Sequence, residues 1–286
     1  MNSHGRRRSD SPRSERRVPT HPAEGTREEI TVRVIKVGGR AQGDARLMPA
    51  IVAASARGAR VVVVHGGGDE ISMLQRSMQL EPSFIDGRRV TSETDLDIVR
   101  MVLSGTVNKR LVAQLSVLGA RAVGVSGEDG GLLTAAVGEA RLGRVGRDIV
   151  AEVSLLAHLL NGGWLPVVSP LAREAGSASG AGLNVNGDDA AAAIAAGLGA
   201  DELVFVADVP GVLENGQPFE SLDVAAAASL VERGVAQGGM RAKLEAAAAA
   251  LRNGVKRVRI AGLDGINDRA AGTAISLQHP ERRDHA

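Results

Sequence analysis

The stretch NVNGDDA at positions 184–190 holds two asparagines and two aspartates just where an alanine-rich helix begins. A helix start needs only one such residue, because a single Asn or Asp oxygen can accept from the open N–H groups of the first turn. The surplus implies that something else is held there. Two glycine turns follow β-branched runs, TVRVIKVGG at 31–39 and ARVVVVHGGG at 59–68. Without a Cβ, backbone N–H groups at such turns can converge on an anion. Lys36 lies one pleat from the end of the first run, so it can be a fixed ammonium beside an anion-binding turn, or a lysine snorkelling at a strand edge. Lys243, in GGMRAK, taken alone reads as a solvated helix lysine. His65 reads as structural, since no acid or nucleophile partner is visible for it. Asp208, in VADVPGVL, suits a turn after a strand and equally a nucleotide loop. Neither glycine turn fits G-x-x-x-x-G-K-[ST], and no G-x-G-x-x-G follows the first strand, so a Walker NTPase and a dinucleotide fold are not supported.

The elements that must position these residues alternate. The two β-branched runs read as buried parallel strands, and ARLMPAIVAASARG between them as a helix, giving a right-handed crossover unit. ETDLDIVRMVLSGTVNKRLVAQLSVLG has helical spacing, and ARAVGVSG and GGWLPVVSP read as further strands. EAGSASGAG at 174–182 breaks the pattern and marks the expected lobe boundary. Beyond it come the helix starting near Asp188, the strand DELVFVADV, the helix GMRAKLEAAAAALRNG and the strand VKRVRIAG. Strands and helices alternating on both sides of a break imply an α/β protein of two lobes.

Composition narrows the class. The chain has 286 residues, 44% hydrophobic and 23% charged, enough for a sizeable core. With no cysteine, neither disulfides nor thiolate metal sites are available, as suits a reducing cytoplasm. Aromatics are 1%, which argues against base-stacking platforms for nucleic acid. Residues 1–17 hold six Arg against Asp10 and Glu15, a local +4 in a chain of net charge +1, so the remainder carries −3 and has no electrostatic preference for nucleic acid. No run approaches the roughly 18 apolar residues of a membrane span. Residues 1–29, rich in Ser, Pro and Arg, are expected to be a disordered tail, and 279–286 a second polar tail.

Taken in order, KVGG, HGGG, DGRRVT, GTVNK, NVNGDDAA, ADVPGVL and GGMRAK resemble the motifs of the amino acid kinase family. Each is weak alone, but the ordered set spans roughly 31–276. Within that family the motifs are most similar to those of members acting on N-acetyl-L-glutamate. The resemblance implies an open three-layer α/β/α sandwich with a mainly parallel central sheet. The lobe at 30–177 would bind the amino-acid substrate and dimerise, and the lobe at 178–278 would bind ATP. It places Lys36 and Lys243 on the phosphates, with Asp188 orienting them. Gly39 would offer its N–H to the moving phosphoryl group, and Gly67 and Gly68 theirs to the substrate. Arg89 and Asn184 would hold the substrate's carboxylate and amide end. The nucleotide region maps onto Asp208, Val209, Pro210, Gly211, Val212 and Leu213, and onto Val235, Ala236 and Gln237. Mg²⁺ would be held mainly by the ATP phosphates, so no protein ligand is named.

The implied reaction is ATP-dependent phosphorylation of the side-chain carboxylate of N-acetyl-L-glutamate for arginine synthesis, by a cytoplasmic homodimer. Alternatives are the same chemistry on carrier-bound aminoadipate or glutamate, and a catalytically silent sensor of amino acids and nucleotides. Three departures from the family pattern stand out. Gly187 replaces the usual Ala and is expected to alter only flexibility at the helix start. Arg88 adds a cation beside Arg89, and HGGGDEIS departs after its glycines. Arginine-inhibited relatives carry an amphipathic helix before the first strand. Residues 1–29 lack its apolar stripe and contain Pro12, Pro19 and Pro22, so a dimer insensitive to arginine is expected.

Overall fold

The computed structural model describes residues 31–278, together with Met1; the expectations for the two tails lie outside the described residues. The chain begins with β1 (Val32–Val37), α1 (Leu47–Ala56), β2 (Arg60–His65) and α2 (Gly68–Ser77). A short hairpin, β3 (Phe84–Ile85) and β4 (Arg88–Arg89), leads into α3 (Glu93–Arg100), α4 (Asn108–Val117) and β5 (Ala122–Ser126). Then come β6 (Leu133–Val137), β7 (Gly146–Ala151), α5 (Ser154–Asn161), β8 (Leu165–Ser169), β9 (Leu171–Glu174) and β10 (Gly182–Asn184). The rest comprises α6 (Gly187–Gly197), β11 (Glu202–Val206), β12 (Leu213–Glu214), β13 (Gln217–Pro218), β14 (Ser221–Asp223), α7 (Val224–Glu232), α8 (Gly238–Arg252), β15 (Val258–Ala261) and β16 (Thr273–Ser276).

An eight-stranded sheet of order β14-β16-β15-β11-β1-β2-β8-β5 forms the centre; β15 and β16 pair antiparallel, and every other neighbouring pair is parallel. Its β-branched strands are buried on both faces. Val34, Val62 and Phe205 pack in one core layer with α6 and α8, while Ile35, Val63 and Val204 pack in the other with α1 and α4. The architecture is thus the expected α/β/α sandwich. Side chains alternate along a strand, so Lys36 shares the face of Val34, the face against which α6 lies. The carboxyl ends of β1, β2 and β11 meet at the centre, where the chain order runs outward in both directions, the usual place for a ligand crevice in such sheets.

Three features were not legible beforehand. The segment 133–151 supplies β6 and β7 to a second sheet of order β10-β9-β6-β7. The Gly and Ser stretch 174–182 is the connection of an antiparallel β9–β10 hairpin within that sheet, with Glu174 N donating to Ala181 O at 2.8 Å. The long helix from Glu93 to Val117 is continuous but widens into π-turns over Met101–Val107. These turns carry Leu103 and Val107 against Gly67, where an added Cβ would lie 2.8 Å from Leu103 Cδ2. Among the described residues no helix is long and apolar enough to cross a membrane.

Candidate active site

Lys36 and Lys243 converge on one carboxylate. Lys36 Nζ lies 2.8 Å from Asp188 Oδ1 and Lys243 Nζ 3.5 Å from Asp188 Oδ2. Asp188 is 4% exposed and the Lys243 side chain 13%, so Lys243 is no solvated helix lysine. Burial holds its pKa below the ordinary lysine value; Asp188 opposes that shift, the Lys36 charge adds to it, and Asp208 opposes it from farther off. Two ammonium groups sharing one carboxylate leave a buried excess of positive charge, a site short of an anion.

The polar run at 184–190 divides its work. Asn186 is the N-cap of α6, its Oδ1 accepting from Asp188 N at 2.7 Å and from Asp189 N at 3.4 Å. That cap frees the Asp188 side chain for the lysines. Asp189 faces Arg88 across 3.6 Å, and burial pushes its pKa up to about 6 despite the Arg88 charge. Gly187 does more than loosen the helix start, because a Cβ there would stand 3.3 Å from Lys36 Cε.

The two glycine turns meet backbone to backbone. A Cβ on Gly66 would lie 3.7 Å from Gly39 N, and one on Gly39 would lie 3.9 Å from Gly67 N. Gly67 and Gly68 line a cavity of about 190 Å³ with Phe84, Arg88, Arg89 and Asn184. A neighbouring cavity of about 500 Å³ is lined by Arg88, Asn186, Asp188, Gly238, Gly239 and Arg241. Arg88 and Asn186 border both, and Asp188 lines the larger one.

Arg89 is buried, and its Nη2 donates to Gly68 O at 2.8 Å and to Ser72 Oγ at 2.8 Å; Nη1 donates to Gln75 Oε1. Gln75 Nε2 in turn donates to Asp95 Oδ1 at 2.6 Å, and Asp95 belongs to the capping box that starts α3. The Arg89 guanidinium also lies 4.7 Å from the centre of the Phe84 ring. Sequence reasoning missed Ser72 and Gln75. Their spacing after Gly68, four and seven residues on one helix, was the available sign of a shared polar face.

Asp208 to Leu213 follow β11 at the same sheet edge as the lysines. Val212 N donates to Thr273 Oγ1 at 2.9 Å, and Asp208 Oδ2 lies 3.7 Å from Arg40 Nη1. Val235 to Gln237 form the turn that leads into α8, with Ala236 buried. Neither stretch lines the two cavities above.

His65 is fully buried at the end of β2, and burial lowers its pKa to about 4. Asn108 Nδ2 gives hydrogen bonds to Val167 O at 2.8 Å and to His65 Nε2 at 3.2 Å, while His65 Nδ1 lies 3.0 Å from Gly66 O. That pattern suits a neutral ring protonated at Nδ1. The histidine holds the second glycine turn and has no free nitrogen for proton transfer.

An open α/β/α sheet with opposed glycine turns and a lysine-bound aspartate at its carboxyl edge is the frame of a small-molecule phosphotransferase. A sequence model of the amino acid kinase family matches residues 31–262, and the chain belongs to that family. It is 44% identical over 243 residues to the acetylglutamate kinase of Chloroflexus aurantiacus, covering 83% of this chain and 94% of that one. It is 45% identical over 224 residues to the acetylglutamate kinase of Rubrobacter xylanophilus, covering 78% and 85%. A solved structure from Streptococcus mutans UA159 superposes with a TM-score of 0.77 at 30% identity, covering 86% of this chain and 99% of that one.

Proposed function

We propose that the chain transfers the γ-phosphoryl group of ATP to the side-chain carboxylate of N-acetyl-L-glutamate, giving N-acetyl-L-glutamyl 5-phosphate for arginine biosynthesis. Relatives at 44% and 45% identity bearing the acetylglutamate kinase name support the substrate. The observation that carries the chemistry is the buried Asp188, shared by Lys36 and Lys243, in the lining of the larger cavity.

The nucleophile is already ionised at neutral pH, so no general base is needed. The barrier lies in bringing two anions together: two unit charges about 4 Å apart at an effective dielectric of about 20 interact by about 4 kcal/mol. Lys36 and Lys243 offset that repulsion, and Asp188 holds both ammonium groups in place. One carboxylate oxygen bonds to the γ-phosphorus as the bond to the β–γ bridging oxygen breaks and ADP leaves. Gly39, Gly67 and Gly68 offer N–H groups to the transferring phosphoryl group and the acid, acting most strongly where charge develops. Arg89 and Asn184 hold the non-reacting end of the acid. Asp208 to Leu213 and Val235 to Gln237 would cradle the nucleotide, with 30–177 as the acid-binding lobe and 178–278 as the ATP lobe. Mg²⁺ comes with the ATP phosphates; among the described residues no group of three or more His, Asp or Glu is placed to hold it, and no step here runs through the metal.

With ATP, Mg²⁺ and hydroxylamine, the purified chain is expected to form an acyl hydroxamate from N-acetylglutamate and not from glutamate, aspartate or aminoadipate. A hydroxamate from free glutamate or aspartate alone overturns the substrate.

A further inference from the structure

Thr91 follows the β3–β4 hairpin and is fully buried, yet nothing in the mechanism above uses its hydroxyl. The oxygen has two partners. Thr91 Oγ1 donates to Arg89 O at 3.0 Å, and Asn184 Nδ2 lies 3.0 Å from the same oxygen. A hydroxyl has one proton, and a carbonyl can only accept it, so toward Asn184 the threonine oxygen can only accept. The amide must therefore present its NH₂ to Thr91. Its other branch, Oδ1, accepts no hydrogen bond from any described residue, and Asn184 lines the smaller cavity beside Arg89. The backbone holds this geometry on both sides: Thr91 N donates to Leu142 O at 2.9 Å, Arg144 N to Thr91 O at 2.7 Å, and Asn184 N to Arg144 O at 2.9 Å. The strip 142–145 thus ties the residue after the hairpin to β10.

We propose that Thr91 is a positioning residue that sets the polarity of Asn184, so that the acid cavity offers a carbonyl acceptor where a freely turning asparagine could offer either end. A fixed acceptor selects an acid whose nitrogen still carries an N–H, a secondary amide, over the ester of the same shape in which oxygen replaces N–H. An acceptor facing an ester oxygen meets a second lone pair, and both lose their hydrogen bonds to water, the kind of mismatch that sites built around a hydrogen bond reject strongly. This inference rests on the proposed activity toward N-acetylglutamate.

The test compares N-acetylglutamate with 2-acetoxyglutarate, its ester analogue, by release of ADP. The wild-type chain is measured first; failure to turn over N-acetylglutamate defeats the functional reading itself. Given that activity, the wild type should favour the amide by about 10²-fold or more in kcat/KM. Thr91→Val, isosteric but without the hydroxyl, should narrow that ratio about tenfold, with the loss falling on KM for the amide rather than on kcat. Thr91→Ser should restore it. An unchanged ratio in Thr91→Val, or equal losses of kcat in the Val and Ser variants, overturns the proposal. Asn184→Asp supplies an independent reading should Thr91→Val not fold. A carboxylate keeps an acceptor in the cavity, so preference for the amide should survive a general rise in KM, whereas collapse of that preference would mean that the cavity uses Nδ2.

Discussion

At Asp188 one carboxylate divides its two oxygens between Lys36 and Lys243, so each of the three residues has a distinct measurable role. Replacing either lysine by Ala should lower kcat by about 10²-fold, with a smaller change in KM for the acid, because the charge they offset is greatest in the transition state. Steady-state kinetics on both variants checks this; kcat within twofold of wild type for both would remove the mechanism. Asp188→Asn keeps the shape and loses the charge. Since the cap of α6 is Asn186, this variant should keep a native circular dichroism spectrum, with a lower thermal midpoint because two largely buried ammonium groups lose their counter-charge, while turnover falls by about 10²-fold. An unfolded Asp188→Asn protein would show that the aspartate serves the helix start after all.

The elements around the second glycine turn carry their own pH dependence. His65, at the end of β2, is buried with a folded pKa of about 4 against the ordinary 6.5. The unfolded chain therefore binds the proton more readily across that interval. Stability from this residue is fully present above pH 6.5, declines as pH falls toward 4, and changes no further below it. By linkage the loss is on the order of 3 kcal/mol. Asp189, with its pKa raised to about 6, acts in the opposite sense over this range, so the test is the difference between proteins: urea unfolding at pH 7.0 and 5.0 should show His65→Gln, with an uncharged side chain, faring better at the lower pH than the wild type does. The same pH dependence in the variant and the wild type would mean that His65 contributes none of it.

Across the whole molecule, the opposite ends of the central strands are fastened by charge. Glu202 opens β11 and takes Arg33 Nε at 2.7 Å on one oxygen and Arg259 Nε at 2.8 Å on the other, all three residues being buried. The arginines also donate to the loop after β15, Arg33 to Ile266 O and Arg259 to Gly265 O. Burial pushes the Glu202 carboxyl up, but the two arginine charges and their hydrogen bonds outweigh it and hold the pKa below the ordinary 4.5. Its stabilisation is thus present above pH 4.5 and lost as pH falls through the lowered value. Glu202→Gln leaves two buried cations facing a neutral amide and should cost about 3 kcal/mol or more, lowering the thermal midpoint by several degrees. Activity at low temperature should survive, because the lysines proposed to be catalytic lie at the other end of the strands. The proposed assembly is a homodimer insensitive to arginine. Light scattering should give a dimer mass, and deletion of residues 1–28 should leave turnover unchanged; a hexamer whose arginine inhibition disappears with that deletion would refute it.

Strand character and parallel direction in β1 and β2, and the position of Lys36 at a strand end, were legible in the sequence, because β-branched runs ending in glycine are local patterns set by backbone sterics and burial. The ordered motifs carried the family in the same way. Only the folded chain decided that Lys243 is largely withdrawn from solvent beside Asp188, since helical spacing assigns a face and says nothing of what stands opposite. Asp188 and Lys243 are 55 residues apart, Thr91 and Asn184 93, and Arg33 and Glu202 169. Whether such pairs meet depends on strand register and on the crossovers between them. Gln75 and Asn108 stayed hidden for that reason: each is an ordinary helix polar residue until packing removes its water and leaves Arg89 or His65 as the group it must satisfy.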